Sequence, residues 1–232
     1  MKILAIIPAR GISKGVPKKN SKLLGNKPLI AYTVEAALVC KNINTVITST
    51  DDESIARIAK EYGSQVPFIR PAELATDSAR SLDVVLHSVL FLESQGHFFD
   101  AVCLLQPTSP FRAHGFIDRC IETFIQQQVD SLVSVQAVPS KYNPHWTFEQ
   151  DENGQLKIAT GEDSIITRRQ DLPKAYIRDG NVYLTKISVL KDQQSLYGKT
   201  IGYVESDPEY YVNIDTPEDW KVAEHLLSMR KG

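Results

Sequence analysis

Short apolar runs alternate with segments of helical period from the start of this chain to about residue 137, and few folds accept that rhythm. Lys2 to Pro8 (KILAIIP) reads as a buried strand. Pro28 to Val39 reads as a helix with Ile30, Val34, Ala37 and Leu38 on one face. The run ending at Thr50 (NTVITST) is the next strand, and Ser54 to Tyr62 the next helix. Gln65 to Ile69 reads as a strand, Ser81 to Leu92 as a helix, Asp100 to Gln106 as a strand, Gly115 to Gln127 as a helix, and Ser131 to Ala137 as a strand. Strand–helix alternation predicts a three-layer α/β fold, a mostly parallel sheet with helices on both faces. In such sheets ligands sit beyond the carboxyl ends of the strands. The loops after Pro8, Thr50 and Gln106 are therefore the places to seek chemistry.

The rhythm breaks between about residues 138 and 175. Pro139 and Pro144 interrupt it, and His145–Phe148 and Gln155–Ala159 flank the turn signal Asp151-Glu152-Asn153-Gly154. A structureless loop of this length would be unusual, so the spacing predicts an inserted β-hairpin arm. The core pattern returns in AYIRDGNVYLT, ending at Thr185. A final helix begins near Pro217, with Thr216 as N-cap and Asp219 at its third position. Residues 1–232 read as a single domain, with 138–175 inserted in it.

The net charge of −2 argues against general nucleic-acid binding, so any anion site must be local. No stretch approaches the ~20 apolar residues of a membrane span. The apolar run Ile3–Ile7 is too short for a signal peptide. Cys40, Cys103 and Cys120 are far apart and odd in number, which suits reduced core thiols and a cytoplasmic location. The scattered histidines suggest no zinc site.

The first local anion site on offer is the loop from Pro8 to Asn20, which carries Arg10, Lys14, Lys18 and Lys19. Gly11 and Gly15 would let backbone amides approach an anion, while Arg10 and Lys14 add charge where a polyphosphate could lie. The loop matches neither the P-loop nor the dinucleotide-binding pattern. From charge alone, a solvated basic loop is an equal reading.

Further segments follow in order: STDDESIARIAKEYG, IRPAELATDSARSLDVVLHS, LLQPTSPFR, RRQDLP, DGNVYLT and VNIDTPEDW. With the loop Pro8-Ala9-Arg10-Gly11, Ser13-Lys14-Gly15, Pro17 and Asn20, they resemble the signature of the CMP-N-acetylneuraminate synthetases, the acylneuraminate cytidylyltransferases. The resemblance runs from Ile3 to about Trp220. It implies a fold of the nucleotidyltransferase (nucleotide-diphospho-sugar transferase) type, active as a homodimer through the inserted arm. The implied reaction joins CTP and an acidic nine-carbon sugar into a CMP-sugar and pyrophosphate, for glycoconjugate or surface polysaccharide synthesis. The implied cofactor is Mg²⁺, or Mn²⁺ in its place.

The same resemblance distributes roles. Arg10, Gly11, Lys14, Asn20, Arg70, Ala79 and Ser81 would hold the nucleotide, Lys14 being the main contact to the triphosphate. Arg10, Lys14 and Asp215 would carry the catalysis. Gln106, Lys141, Arg169, Asp179 and Tyr183 would meet the sugar, with Arg112 fixing the turn after Gln106. Asp215, with Asn213, would hold the metal. Structural roles remain open beside these: Ser81 also reads as a helix cap, Arg70 as a surface charge, and Lys141, Arg168 and Arg169 as solvated cations.

Three departures from the pattern matter. The family usually places two aspartates around one apolar residue, where this chain has Asn213-Ile214-Asp215. Asp179 stands where an asparagine is usual, and Arg178 is displaced by one position. Ile12 stands at a usual glycine. The second departure leaves open legionaminic or pseudaminic acid as the sugar. A CMP-Kdo synthetase is the neighbouring alternative. A non-catalytic nucleotide-binding protein on the same scaffold is the remote one, and should have shed Arg10, Lys14 or Asp215.

Overall fold

A computed structural model describes residues 1–230. In chain order it contains β1 (Ile3–Pro8), β2 (Leu23–Leu24), β3 (Lys27–Pro28), α1 (Leu29–Leu38), β4 (Thr45–Ser49), α2 (Glu53–Glu61), α3 (Ser81–Ser94), β5 (Ala101–Leu104), α4 (Phe116–Gln127) and β6 (Ser131–Ala137). Then come β7 (Phe148–Gln150), β8 (Leu156–Ile158), β9 (Tyr176–Lys186), α5 (Ile187–Asp192), β10 (Ile201–Glu205) and α6 (Pro217–Met229). The main sheet has the order β10-β6-β9-β5-β1-β4. The pairs β1/β4, β1/β5 and β6/β10 are parallel, while β9 runs antiparallel between β5 and β6.

Strand β1 shows why the layers form. Ile3, Ala5 and Ile7 point to one face, where they pack with Ile30 and Val34 of α1, Ile55 of α2 and Phe124 of α4. Leu4 and Ile6 point to the other face and pack with Leu82, Val85 and Val89 of α3. All five are fully buried, as the period of two requires in a sheet covered on both sides. The three cysteines are buried and free, as expected. A third apolar cluster joins Val16 of the basic loop to Val212, Ile214 and Trp220 near the carboxyl terminus.

Two expected strands differ. Gln65–Ile69 forms only a single bridge, Gln65 to Ile47, because Pro67 has no N–H to continue a ladder. The hairpin forms around Asp151–Gly154, but its first strand starts at Phe148, because Pro144–Trp146 is a 3-10 turn rather than extended chain. Asp151 Oδ1 closes the turn by accepting from the amides of Asn153 and Gln155. At the carboxyl end, Thr216 caps α6 in a reciprocal pair with Asp219, with Pro217 in the first turn, as the sequence indicates.

Candidate active site

Strands β1, β4 and β5 lie side by side and parallel, so their carboxyl ends open at one edge of the sheet. The basic loop leaves β1 there and is pinned by its own residues. Asn20 is buried and donates from Nδ2 to the carbonyl of Arg10 at 3.0 Å. Gly15 lies against the backbone of Asp215 so closely that a Cβ on it would come within 1.8 Å of that carbonyl oxygen. The close approach allowed by glycine is thus spent on protein backbone rather than on an anion. Gly11 also departs from expectation: its amide donates to Asp51 Oδ1 at 3.0 Å, so it is not free for a phosphate.

Below this loop lies a cleft of about 320 Å³. Arg10, Asn20, Arg70, Ala79, Ser81, Gln106, Asn213 and Asp215 all line it. Sequence segments far apart therefore meet in one place. Ser81 is the first residue of α3 rather than its cap: Arg80 holds the cap position, and no side chain caps this helix. Arg70 is no surface charge either, since its side chain is 4% exposed.

The cations of the cleft are already engaged. Asp77 lies 2.7 Å from Arg10 Nη1 and 2.7 Å from Lys14 Nζ, so a carboxylate takes both cationic partners expected for the triphosphate. The Lys14 hydrogen bond, joined by that of Arg10, holds the Asp77 carboxyl below its ordinary range. Lys14 is highly exposed and reaches the cleft rim through Asp77. Lys19, only one of several basic residues in the sequence, is buried and donates to Ile214 O at 2.7 Å and to Asp215 Oδ1 at 3.1 Å. Arg70 lies 3.4 Å from Asp51, its Nε has no partner, and burial lowers its pKa. A buried N–H without a partner costs free energy unless a ligand completes it.

Asp215 and Asn213, the expected metal ligands, stand together beside the basic loop, where Lys19 reaches Asp215. Asn213 Nδ2 donates to Asp215 Oδ2 at 2.7 Å, and its own buried Oδ1 has no partner. One exposed carboxylate and one orphaned amide oxygen form a hard donor set, which fits a divalent cation that retains most of its water. Among the described residues no three His, Cys, Asp or Glu side chains cluster for a metal. Further ligands at this site would therefore be water or phosphate oxygen.

A second recess of about 310 Å³ adjoins the first and shares Ser81, Gln106, Asn213 and Asp215 with it. Arg178, Asp179, Gly180, Tyr183 and Tyr211 complete its wall. Its floor is built by Gly180, whose φ of +80° turns the chain and whose missing Cβ would stand 3.1 Å from Gln106 Oε1. Gln106 is held from behind by Arg112. That half-buried guanidinium donates to Gln106 O, to Asn181 O and to Thr33 Oγ1, which fixes the turn as expected. Burial lowers the Arg112 pKa to about 10. Burial likewise pushes the Tyr183 phenol up to about 12.

The side chain of Asp179 does not fit the sugar contact expected of it. It is 2% exposed, and its carboxylate accepts from the hydroxyls of Ser134 and Ser206 and from the amide and Nδ2 of Asn181. With its oxygens spent inside the fold, it shapes the recess rather than lining it with a free acceptor. Lys141 and Arg169 also lie outside both recesses. Arg169 lines a separate hollow and donates to Ser140 Oγ at 3.1 Å, and Lys141 rests over the Tyr142 ring.

Comparison with known proteins agrees with this architecture. A family model described as cytidylyltransferase matches residues 4–230. The CMP-N,N′-diacetyllegionaminic acid synthase of Legionella pneumophila is 34% identical over 100% of this chain and 98% of its own length. The pseudaminic acid cytidylyltransferase of Campylobacter jejuni is 34% identical over 99% of this chain and 97% of its own length. N-acylneuraminate cytidylyltransferase A of Danio rerio is 34% identical over 97% of this chain, which spans 50% of that longer protein. The solved structure of CMP:2-keto-3-deoxy-manno-octonic acid synthetase complexed with CTP shares the fold, with a TM-score of 0.73, 16% identity, and coverage of 99% of this chain and 100% of that one. No helix among the described residues is long and apolar enough to cross a membrane. The chain belongs to the cytidylyltransferase family and, within it, to the nucleotidyltransferases related to the CMP-sialic acid synthetases.

Proposed function

We propose that this protein transfers CMP from CTP to the anomeric hydroxyl of an acylneuraminate-type nonulosonic acid and releases pyrophosphate. One observation carries the reading: the nucleotide cleft and the polar recess beside it share Ser81, Gln106, Asn213 and Asp215, so two substrates can meet there. Relatives named for legionaminic, pseudaminic and acylneuraminic acids support a nine-carbon acid.

In this reading the sugar hydroxyl oxygen attacks the α-phosphorus. A new O–P bond forms as the bond to the β-phosphate oxygen breaks; pyrophosphate leaves, and the hydroxyl proton is given up to solvent. No covalent intermediate on the protein is needed, so the chain supplies position and charge. Arg70, with Ala79 and Ser81, frames the nucleoside end. Arg10 and Lys14 exchange Asp77 for the phosphates. Gln106, locked by Arg112, orients the acceptor, with Tyr183 beside it. Asp215 and Asn213 would hold a Mg²⁺ or Mn²⁺, whose charge neutralises phosphate oxygens.

The reading extends to a homodimer in which the inserted arm crosses to the partner. Phe148, Leu156, Ile165 and Tyr142 leave an exposed apolar face on that arm, with Arg169 and Lys141 near its base. Crossing would bring both cations toward the second subunit's substrates. The three buried thiols suit work in the cytoplasm.

The test is pyrophosphate release with CTP, Mg²⁺ and separate additions of N-acetylneuraminic, legionaminic, pseudaminic and Kdo acids. Release with a nine-carbon acid, and far less with Kdo, is expected. EDTA should abolish it, and added Mg²⁺ should restore it. No release with any of the acids contradicts the reading.

A further inference from the structure

The cations that line the two recesses are not equivalent. Arg10 pairs with Asp77, Lys19 with Asp215, and Arg70 with Asp51. Each has an internal carboxylate to neutralise it. Arg178 is different. It lines the acceptor recess, is exposed there, and no carboxylate among the described residues pairs with it. Its side-chain hydrogen bond runs from Nη1 to the phenol oxygen of Tyr197 at 3.4 Å, a long contact to a neutral group. Tyr197 in turn meets the ring of Tyr183 edge-on at 6.5 Å, and Tyr183 is part of the same wall. The guanidinium is thus directed by two aromatic residues while its charge and remaining N–H groups are left for a ligand.

The backbone holds this position firmly. Asp179 ties this segment to Ser134 of β6 and to Ser206 just beyond β10, and Arg178 itself pairs in register with Val135 of β6. A fork of N–H donors on a fixed strand suits a planar anion with two oxygens.

We propose that Arg178 is the specificity-determining residue that anchors the carboxylate of the acceptor, resting on the function proposed above. In a 2-keto sugar acid the carboxylate is bonded to the anomeric carbon, the carbon that also bears the reacting hydroxyl. Anchoring the first therefore positions the second, beside Gln106 and Ser81 and toward the α-phosphate. Arg169 and Lys141 on the arm are left for other oxygens of the two substrates.

The test is equilibrium binding, read separately from turnover. Affinities of a nonulosonic acid and of its C1 methyl ester are measured for the wild type, Arg178→Ala, Arg178→Lys and Arg169→Ala, with CTP affinity as the folding control. The wild type should prefer the acid. Arg178→Ala should lose about tenfold to a hundredfold in acid affinity with little change for the ester, as for a lost charged hydrogen bond. Arg178→Lys should recover part of the preference, and CTP affinity should not move. The inference is overturned if the wild type shows no preference for the acid. It is equally overturned if Arg178→Ala keeps the preference or weakens both ligands alike, or if Arg169→Ala alone removes it. Absence of turnover with every acid would defeat the proposed function, while the binding comparison would still decide the role of Arg178.

Discussion

At the scale of single residues, the site is a set of cations and small residues whose positions depend on contacts remote in sequence. Asp77 pairs with Arg10 and Lys14, the two cations proposed to hold the triphosphate. Asp77→Asn should therefore tighten CTP binding, on the order of severalfold for the loss of exposed ion pairs, as titration calorimetry can measure. Weaker binding would show that Asp77 helps hold the nucleotide instead. Gly15 touches the backbone of Asp215, leaving no room for a methyl group. Gly15→Ala should push the loop away from Asp215 and Asn213 and lower kcat roughly a hundredfold, the scale of a 1 Å misplacement. Wild-type kcat in that variant would contradict the close packing. Arg10, Asn20, Arg70, Ser81 and Gln106 were legible as candidates because family-like segments carry them, and the fold gathers them in one cleft. Lys19 was not, because its burial comes from Ile214 and Asp215, almost the whole chain away. Asp77 was missed because an aspartate in a polar loop gives no local sign of its partners. Asp179 was legible as part of the acceptor wall, but the engagement of its carboxylate was not, because Ser134 and Ser206 lie far from it in sequence.

At the scale of elements, helix and strand periods placed most of the fold, and caps placed the start of α6. That cap also positions Asp215. Burial alone would raise the Asp219 pKa, but hydrogen bonds from the amides of Asp215 and Thr216 outweigh it and leave the carboxyl below its ordinary value of 3.8. A carboxylate with a folded pKa below its unfolded one contributes stability above the unfolded value and loses it as pH falls through the folded value. Asp219→Asn should therefore be less stable than wild type at neutral pH, by ~1 kcal/mol for a weakened cap. The gap should close below about pH 4, as denaturant unfolding at several pH values would reveal. A gap independent of pH would remove the carboxylate from the account. The orientation of β9 was not legible, since an apolar run in the sheet interior reads the same in either direction. The Gln65–Ile69 segment shows the opposite limit: its apolar pattern suggested a strand, but one proline stopped the ladder.

At the scale of the molecule, the sheet supplies the edge where the two adjoining recesses open, and the arm supplies a surface with exposed apolar residues. The hairpin was readable from its turn; its partner was not, since a single chain does not display what covers Phe148 and Leu156. If the arm joins two subunits, Phe148→Asp with Leu156→Asp should shift sedimentation from dimer to monomer and reduce turnover together. A dimer of unchanged stability would place the interface elsewhere.

The central claim is that one cleft joins CTP to a nine-carbon acid. Its most direct test is to incubate the wild-type protein with CTP, Mg²⁺ and the acid that turns over best, and to identify the products by mass spectrometry and ³¹P NMR. A CMP-nonulosonate formed one for one with pyrophosphate is the predicted result. CTP left intact, or cleaved without a CMP-sugar, would contradict it.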